Sequence, residues 1–223
     1  MSNKPSGLSA SELHKLSLDP KINKEKIYDK WAETYDGYVN KLNYLAPKNV
    51  AREVVEFLDV YKMVETELNL DHLKILDFGC GTGLLGQELK KVLEGSYTFE
   101  IGGIDISDKM IEKCREKLVY NLLAKKDLFK EELPDKNTYD LIVSSGVFLE
   151  GHVSFEMVDI LLDYLKKDKF IAFTIRDSFK KEKVKDYNKY VISNPRLEIL
   201  FNLNIDYLPN VDCTLIIGKK IYD

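Results

Sequence analysis

The sequence predicts an α/β domain built around a mostly parallel sheet, and three observations support that prediction. Strand-like and helix-like patterns alternate over residues 74–175, which is typical of βαβ units with helices on both faces of a sheet. A glycine-rich turn over residues 79–86 joins the first of these strands to the first helix. The last two strands flank the turn 208–210, and so short a connection requires antiparallel pairing.

The part of the chain before the sheet is expected to form a tail and a helical cap. Residues 1–24 are polar and contain two prolines and a glycine, so we expect a mobile tail. Helical patterns follow over 25–40 and 47–69. In the second pattern the apolar residues at helical spacing are Val50, Val54, Phe57, Leu58, Tyr61, Val64 and Leu68. The expected parts are a tail over 1–24, a cap or lid over 25–69 and a sheet domain over 70–223 that forms one domain with the cap.

The sheet domain divides into alternating elements whose crossover connections should be right-handed. An Asn-Pro pair at 194–195 breaks the last predicted helix before the final hairpin. The expected elements are strand 74–78, helix 84–94, strand 97–104, helix 108–119, strand 121–126, strand 139–144, helix 154–167, strand 169–175, helix 178–192, strand 197–207 and strand 212–222.

Length, composition and charge restrict the class of protein. The 223 residues, 44% of them hydrophobic, suit a single core. No run approaches the roughly 18 apolar residues of a membrane span, and the net charge of −4 gives no basic footprint for nucleic acid. The three cysteines are odd in number and scattered, which predicts free thiols and no metal site. We expect a cytoplasmic monomer or weak dimer without a signal peptide, a membrane partner or a nucleic-acid partner.

The glycine-rich turn lies between two acidic residues, and the whole stretch predicts a nucleoside-binding site. Gly79, Gly81 and Gly83 lack a Cβ atom and so allow a ligand to approach the main chain closely. Asp77 ends the strand before the turn. Asp105 ends the next strand, where a carboxylate can accept hydrogen bonds from both ribose hydroxyls. The turn also feeds a helix N-terminus, whose free N–H groups favour electronegative ligand atoms.

Two cofactors are candidates for this site, and the charge of Asp77 favours one of them. Residues 81–86 match the dinucleotide pattern G-x-G-x-x-G, which keeps an NAD-dependent oxidoreductase as a minor alternative. A carboxylate beside the turn would repel the pyrophosphate of NAD. S-Adenosylmethionine has no phosphate, and an acid would attract its ammonium and sulfonium groups. The electrostatics therefore favour S-adenosylmethionine.

With these motifs the chain resembles the class I S-adenosylmethionine-dependent methyltransferases. Within that class it resembles the methyltransferase-like proteins of the Williams–Beuren syndrome critical region. The resemblance rests on the Tyr-Asp-x-Trp-Ala-x-x-Tyr-Asp segment over residues 28–36, on the glycine loop, and on Glu-Gly-His-Val over residues 150–153. It implies a three-layer Rossmann-like sandwich with a seven-stranded sheet in the order 3-2-1-4-5-7-6, an antiparallel C-terminal hairpin and the N-terminal cap.

The remaining site residues are expected at the carboxyl ends of the strands, where open parallel sheets bind ligands. Ile106 should lie beside the adenine, and the resemblance places Asp127 on the adenine amino group and Leu128 against the ring. The small residues Ser144 and Ser145 would lie under the transferring methyl. The cofactor-binding residues expected are Trp31, Tyr35, Asp77, Gly79, Cys80, Gly81, Thr82, Gly83, Asp105, Ile106, Lys126, Asp127, Leu128, Ser144 and Ser145.

Some of these side chains have an ordinary structural interpretation as well. Trp31, Tyr35 and Tyr38 recur at helical spacing, which is typical of core packing, whereas the resemblance suggests a lid over the cofactor. Cys80 is small enough for the turn, and that interpretation is preferred to a nucleophile. His14 and His72 are expected to be incidental.

The reaction implied is an in-line displacement that transfers a methyl group to a small-molecule or protein acceptor. Holding the nucleophile, the methyl group and the sulfur in line and away from water accounts for much of the rate enhancement. A general base is needed only if the acceptor must lose a proton. Glu150 and His152 are the best-placed candidates for that base. A cofactor-binding or partner-binding protein without turnover stays open as an alternative, since neither residue is unambiguous as a base.

Overall fold

The computed structural model describes residues 7–65 and 70–222. The helices are α1 (Ala10–Ser17), α2 (Lys24–Lys41), α3 (Ala46–Val64), α4 (Leu84–Leu93), α5 (Asp108–Glu116), α6 (Met157–Tyr164), α7 (Asp177–Glu182) and α8 (Val184–Tyr187), with a π-helical turn over Asn188–Ile192. The strands are β1 (His72–Phe78), β2 (Thr98–Asp105), β3 (Leu122–Lys125), β4 (Tyr139–Phe148), β5 (Leu165–Arg176), β6 (Leu197–Leu208) and β7 (Val211–Lys220). No helix within the described residues has both the length and the apolarity needed to cross a bilayer.

The seven strands form one sheet in the order β3-β2-β1-β4-β5-β7-β6, so the predicted strand order is confirmed. β1 pairs in parallel with β2 and β4, while β7 runs antiparallel to β5 and β6. One face of the sheet packs against α3 and α4 in a core centred on Leu58, Leu73 and Leu89. The other face packs against α6 in a second core that contains Phe155 and Leu161. The fold is therefore the predicted three-layer sandwich.

The N-terminal residues differ from the expected mobile tail. Within that range the structure describes residues 7–24 and forms α1 there, while residues 1–6 and Leu68 of the second predicted helical pattern lie outside the described residues. The Ser9 hydroxyl accepts from the Glu12 N–H and the Glu12 carboxylate accepts from the Ser9 N–H, which makes a capping box. Leu13 is 3% exposed in a cluster with Trp31. The polar composition therefore did not predict this helix, which is stabilised by one cap and a few apolar contacts.

Other elements also differ from the predicted boundaries, and β4 extends to Phe148 instead of ending at residue 144. β5 begins at Leu165 rather than residue 169, because Leu165 pairs with Tyr139 directly after α6 ends. The helix expected over 178–192 is divided into α7, α8 and the π-helical turn. The charged pattern predicted helical structure there without showing the breaks.

The cap packs on the sheet domain through a series of polar contacts between α2 and the region of α5. Acidic residues on α2 recur at intervals of three or four, and their partners lie on α5 and at its borders. The pairs are Glu25–Lys125 at 2.7 Å, Asp29–Ser107 at 2.6 Å, Glu33–Lys113 at 2.9 Å and Asp36–Lys117 at 2.6 Å. The helix that carries Trp31 and Tyr35 is thereby held over the carboxyl edge of the sheet.

Candidate functional site

The glycine turn follows β1 at the carboxyl edge of the sheet. Gly79, Gly81 and Gly83 have φ angles of 70°, 53° and 87°, a left-handed conformation that favours glycine. A Cβ atom at Gly81 would meet no heavy atom within 4 Å, so the space above this residue is open. The Gly81 N–H donates to Asp105 Oδ2 at 2.9 Å. The turn therefore presents open main chain beside the carboxylate that ends β2.

Two glycines of the dinucleotide-like pattern, Gly83 and Gly86, leave space for the side chain of Tyr120. A Cβ at Gly83 would lie 3.0 Å from the Tyr120 ring, and one at Gly86 would collide with its hydroxyl group. The Gly86 N–H donates to the Tyr120 hydroxyl at 3.1 Å. These glycines make room for an internal side chain, so the G-x-G-x-x-G match is no evidence for a pyrophosphate.

Asp77 is completely buried beneath the turn, and only one of its two carboxylate oxygens accepts a hydrogen bond from a described residue. The Tyr120 hydroxyl donates to Asp77 Oδ2 at 2.6 Å, while Oδ1 is buried and has no hydrogen-bond partner among the described residues. Burial raises the pKa of the Asp77 carboxyl to about 7. A cationic donor would relieve both the missing hydrogen bond and the unfavourable burial of the charge.

Asp105 lies on the floor of an outer cavity of about 230 Å³. Its two oxygens accept from the N–H groups of Ser107 and Gly81, each at 2.9 Å. Burial raises the pKa of this carboxyl to about 6, although these backbone bonds oppose the shift. Each carboxylate oxygen can accept more than one bond, so capacity for ligand hydroxyls is left.

The outer cavity brings together predicted residues from four strand ends and the cap. Its lining includes Tyr28, Tyr35, Gly79, Gly81, Asp105, Ile106, Met110, Lys126, Asp127, Phe129, Ser145, Gly146, Val147, His152 and Val153. Lys126 is paired with Glu131 at 2.7 Å and Asp127 with Lys130 at 2.7 Å. Leu128, predicted against the adenine ring, is instead 6% exposed within the core, and Phe129 lines the cavity next to it. Sequence reasoning missed Phe129, whose sequence context differs little from that of Leu128.

A small cavity of about 40 Å³ lies directly over the glycine turn. Its lining includes Tyr35, Tyr44, Asp77, Gly79, Cys80, Gly81, Thr82 and Ser145. The Tyr44 hydroxyl lies 3.2 Å from Ser145 Oγ. Ser144, also predicted here, turns away from the cavities and donates to the Phe78 carbonyl at 2.8 Å. Gly83 is likewise absent from the lining of these two cavities.

Thr82 and Cys80 have partners of their own around this turn. The Thr82 hydroxyl donates to Asp36 Oδ1 at 2.5 Å and so connects the turn to the cap. Cys80 packs in a buried cluster with Cys114, and its interaction with that thiol, together with burial, raises the pKa of Cys80 well above its usual value. A thiol held protonated in this way is a poor nucleophile.

An inner cavity of about 50 Å³ lies between the cap, β4, β5 and the C-terminal hairpin. Its lining includes His14, Tyr28, Trp31, Tyr35, Tyr38, Tyr44, Gly146, Leu149, Arg176 and Tyr207. Trp31 contacts this inner cavity rather than the outer one and is 2% exposed. His14, which was expected to be incidental, lines this cavity, and its Nδ1 lies 3.0 Å from the Tyr38 hydroxyl.

The two candidate bases are already engaged with neighbouring side chains. Glu150 Oε2 lies 3.3 Å from Arg176 Nη1. His152 Nε2 lies 2.6 Å from the Tyr28 hydroxyl, and its Nδ1 lies 2.9 Å from the Glu150 carbonyl. The carbonyl can only accept, so Nδ1 carries the proton and Nε2 accepts from Tyr28. Burial lowers the pKa of His152 to about 4, which keeps the ring neutral.

The comparisons with known sequences identify a family. A family model described as a methyltransferase domain matches residues 69–215. Human methyltransferase-like protein 27 is 31% identical over 128 residues, which cover 56% of this chain and 47% of that protein. The malonyl-[acyl-carrier protein] O-methyltransferase of Acetivibrio thermocellus is 31% identical over 143 residues, 64% of this chain and 45% of that enzyme. The chain thus spans about half the length of the curated relatives it matches.

Solved structures share the fold at low sequence identity. The plantazolicin methyltransferase BpumL, solved in complex with SAH, superposes with a TM-score of 0.61 at 16% identity and covers 94% of this chain and 98% of its own. An S-adenosylmethionine-dependent methyltransferase from Clostridium acetobutylicum gives a TM-score of 0.55 at 18% identity, with 87% and 99% covered. These likenesses show the fold.

Proposed function

The chain belongs to the methyltransferase domain family, and from that premise we propose that it transfers a methyl group from S-adenosylmethionine to a small-molecule or protein acceptor. One observation supports the choice of cofactor: Asp77 is buried at the glycine turn, and one of its carboxylate oxygens has no hydrogen-bond partner among the described residues. A ligand with an ammonium group supplies that partner, whereas a pyrophosphate would be repelled.

Two of the three cavities match parts of this cofactor. The outer cavity, with Asp105, Ile106 and Asp127, suits the adenosyl group, because an acid that accepts from the ribose lies beside apolar side chains. The small cavity, with Asp77 and Gly81, suits the amino-acid end. Bound there, S-adenosylmethionine supplies a methyl group on a positively charged sulfur, which is a good leaving group.

The protein contributes position and exclusion of water. Tyr35 lines all three cavities, and Ser145 lines the outer and small ones, so both mark the junction where a methyl group would meet its acceptor. Burial raises the pKa of Tyr35 well above its usual value, so its hydroxyl stays neutral. Neutral, buried hydroxyl groups hold a ligand in place without competing as nucleophiles.

Glu150 and His152 are proposed here as positioning residues. His152 holds the Tyr28 hydroxyl, and Glu150 holds the Arg176 guanidinium. A neutral imidazole with a pKa of about 4 and an occupied Nε2 is a weak base at neutral pH. The arrangement therefore favours acceptors that are nucleophilic without the help of a base.

The lack of a strong base at Glu150 and His152 also supports the second candidate, a protein that binds the cofactor or a partner without turnover. Purified protein incubated with S-adenosylmethionine and a metabolite extract separates the two. Formation of S-adenosylhomocysteine above a Gly81→Val control supports an enzyme. A protein that binds the cofactor but gives no product with metabolite or protein extracts supports the binding role.

Calorimetric titration tests the cofactor itself. S-Adenosylmethionine and S-adenosylhomocysteine are expected to bind in the micromolar range, and NAD is expected to give no heat of binding. Binding of NAD in place of both adenosyl ligands would contradict the proposed function.

We further propose a cytoplasmic monomer or weak dimer in which the cap acts as a lid. The cysteines Cys80, Cys114 and Cys213 are all free and buried, which suits a reducing compartment. Sedimentation analysis with and without S-adenosylhomocysteine tests the proposed oligomeric state.

A further inference from the structure

The inner cavity contains a charged side chain with an unsatisfied donor. Arg176 Nη1 is 3.3 Å from Glu150 Oε2, but Arg176 Nε is buried and has no hydrogen-bond partner among the described residues. Only 13% of the Arg176 side chain is exposed. A buried donor of this kind is unfavourable until an acceptor reaches it. Arginine is also the side chain best shaped to hold a planar anion through parallel N–H bonds.

The groups around Arg176 offer hydrogen bonds without adding negative charge. Burial raises the pKa of Tyr44 and of Tyr207, so both hydroxyl groups remain protonated and able to donate. Burial lowers the pKa of His14, so its ring stays neutral. The described lining of the inner cavity contains no carboxylate. Arg176 is therefore the charge that a ligand in this cavity would meet.

The acidic residues nearby belong to a different surface. Asp177, Asp206 and Asp212 line an open depression at the β6–β7 hairpin, which shares Tyr207 with the inner cavity. Asp177 is paired with Lys180 at 3.1 Å. None of these three acids lines the inner cavity.

The inner cavity adjoins the proposed cofactor site. Gly146, Tyr28 and Tyr35 line both the inner and the outer cavity, and Tyr44 lines both the inner and the small cavity. A Cβ atom at Gly146 would lie 2.8 Å from the Tyr44 hydroxyl, so this glycine keeps the junction open. A group bound against Arg176 would therefore lie next to the cofactor site, with only the side chains that line both cavities between them.

We propose that the inner cavity binds the carboxylate of a small acidic acceptor, with Arg176 as the anion-binding residue. This inference rests on the proposed function and names the acceptor class for it. The inner cavity, at about 50 Å³, is much smaller than the outer cavity of about 230 Å³, so it suits a small acidic group rather than a whole substrate. Arg176 is the one cation in the described lining and Glu150 already offsets part of its charge, so a singly charged carboxylate is favoured over a doubly charged phosphate.

Binding of matched small probes tests the charge requirement. Butanoate, butanamide, butylamine and butyl phosphate are each titrated by NMR into protein saturated with S-adenosylhomocysteine. Butanoate is expected to bind in the millimolar range, at least about tenfold more tightly than the other three, because charge-assisted bonds are the stronger ones. Equal binding of the amide, tighter binding of the phosphate or no binding of butanoate would each overturn the inference.

Arg176→Met and Arg196→Met form a matched pair of variants. Arg196 likewise has a buried Nε that no described residue bonds, and it forms an ion pair with Asp163 at 2.7 Å, but it lines none of the three cavities. Arg176→Met is expected to lose butanoate binding and Arg196→Met to keep it. Arg176→Lys, which retains the charge, should restore part of the affinity. Similar losses in both methionine variants would indicate a merely structural role.

The cofactor titration separates this inference from the proposed function. S-Adenosylhomocysteine should bind Arg176→Met within about twofold of wild type, which also shows that the variant is folded. If wild-type protein does not bind the adenosyl ligand, the proposed function fails. If it does bind and butanoate does not distinguish wild type from Arg176→Met, the acceptor class alone is wrong.

Discussion

The two halves of the carboxyl edge of the sheet are assembled in different ways. The half formed by β1, β2 and β3 takes its polar side chains from one stretch, residues 77–127. The half formed by β4, β5 and the β6–β7 hairpin takes them from separate parts of the chain, with His14, Tyr44, Arg176 and Tyr207 meeting at one small cavity. A site from one stretch leaves a motif in the sequence, and a site from four segments does not.

The halves also differ in charge. Asp77 and Asp105 face the proposed cofactor site, which would hold a cation, whereas Arg176 faces the inner cavity. Opposite charges on neighbouring walls would bring a cationic methyl donor and an anionic acceptor together. Changes confined to one half should therefore affect one ligand and spare the other.

Gly81→Val should have the largest effect and should abolish binding of S-adenosylhomocysteine. The new side chain would occupy the open space above the turn, and φ of 53° is strained for a β-branched residue. Gly95→Val is the control, because Gly95 has φ of 88° and equally open space but lies in the turn between α4 and β2. Titration calorimetry on both variants measures the difference; retained binding in Gly81→Val would contradict the assignment of the turn.

Asp105→Ala should weaken binding of the adenosyl ligands by roughly 5- to 150-fold, or about 1–3 kcal/mol. The carboxylate lines the outer cavity and retains capacity for ligand hydroxyls. Asp108→Ala removes a nearby acid that is paired with Lys125 at 2.9 Å and does not line this cavity, so it should bind normally. An unchanged dissociation constant in folded Asp105→Ala would show that the ribose contacts lie elsewhere.

Binding of S-adenosylmethionine should weaken on acidification by about tenfold per pH unit between pH 7 and pH 6, and more steeply below pH 6, where Asp105 is protonated as well. In the free protein burial raises the pKa of Asp77 to about 7 and that of Asp105 to about 6. A cationic ligand favours the ionised carboxylates and lowers these pKa values, so binding releases protons and acid opposes it. Calorimetry in buffers from pH 8 to pH 5.5 measures the slope, and a flat profile would contradict the role of Asp77.

Asp77→Asn is the control for this pH profile and should remove the change near pH 7. The variant should also be more stable than wild type at pH 8. A folded-state pKa above the ordinary value means that the fold loses stability as pH rises from about 4 to 7, and an amide avoids that loss. Thermal unfolding at pH 8 and pH 5 should show the difference between the proteins shrinking at the lower pH.

Asp36→Asn should have the smallest effect, about a two- to fivefold loss of cofactor affinity. Asp36 connects the cap to both Thr82 and Lys117, so its charge favours the closed position of α2. Trp31 is the sole tryptophan, and its emission should change on addition of S-adenosylhomocysteine. Glu33→Gln is the control for Asp36→Asn, because Glu33 is exposed and the ion pair it forms is with Lys113. A tryptophan signal that is indifferent to saturating ligand would contradict the proposed lid.

The family was recognised from the glycine-rich turn and two further short segments, 28–36 and 150–153, and the strand order followed from that resemblance. The prediction that residues 1–24 form a mobile tail differs from the structure, since a polar helix held by a capping box has little periodic apolar content. The inner cavity was not predicted, because nothing near Arg176 in the chain indicates that Tyr44 and Tyr207 would surround it. The paired Tyr-Asp dipeptides 28–29 and 35–36 were the available indication of the cap: each tyrosine lines a cavity while each aspartate contacts the sheet domain.

The packing of Tyr120 has a consequence for how this sequence can diverge. A Cβ atom at Gly83, Gly86 or Gly103 would press on the Tyr120 ring, which lies over all three. At Gly86 Tyr120 alone restricts the space, so an alanine there is tolerated only after the tyrosine has been replaced by a smaller residue, whereas Gly83 is also restricted by Cys114 and by its φ of 87°, and Gly103 also by Leu123. In an alignment of relatives, position 86 should covary most strongly with position 120, whereas position 81, which no side chain restricts, should remain glycine regardless.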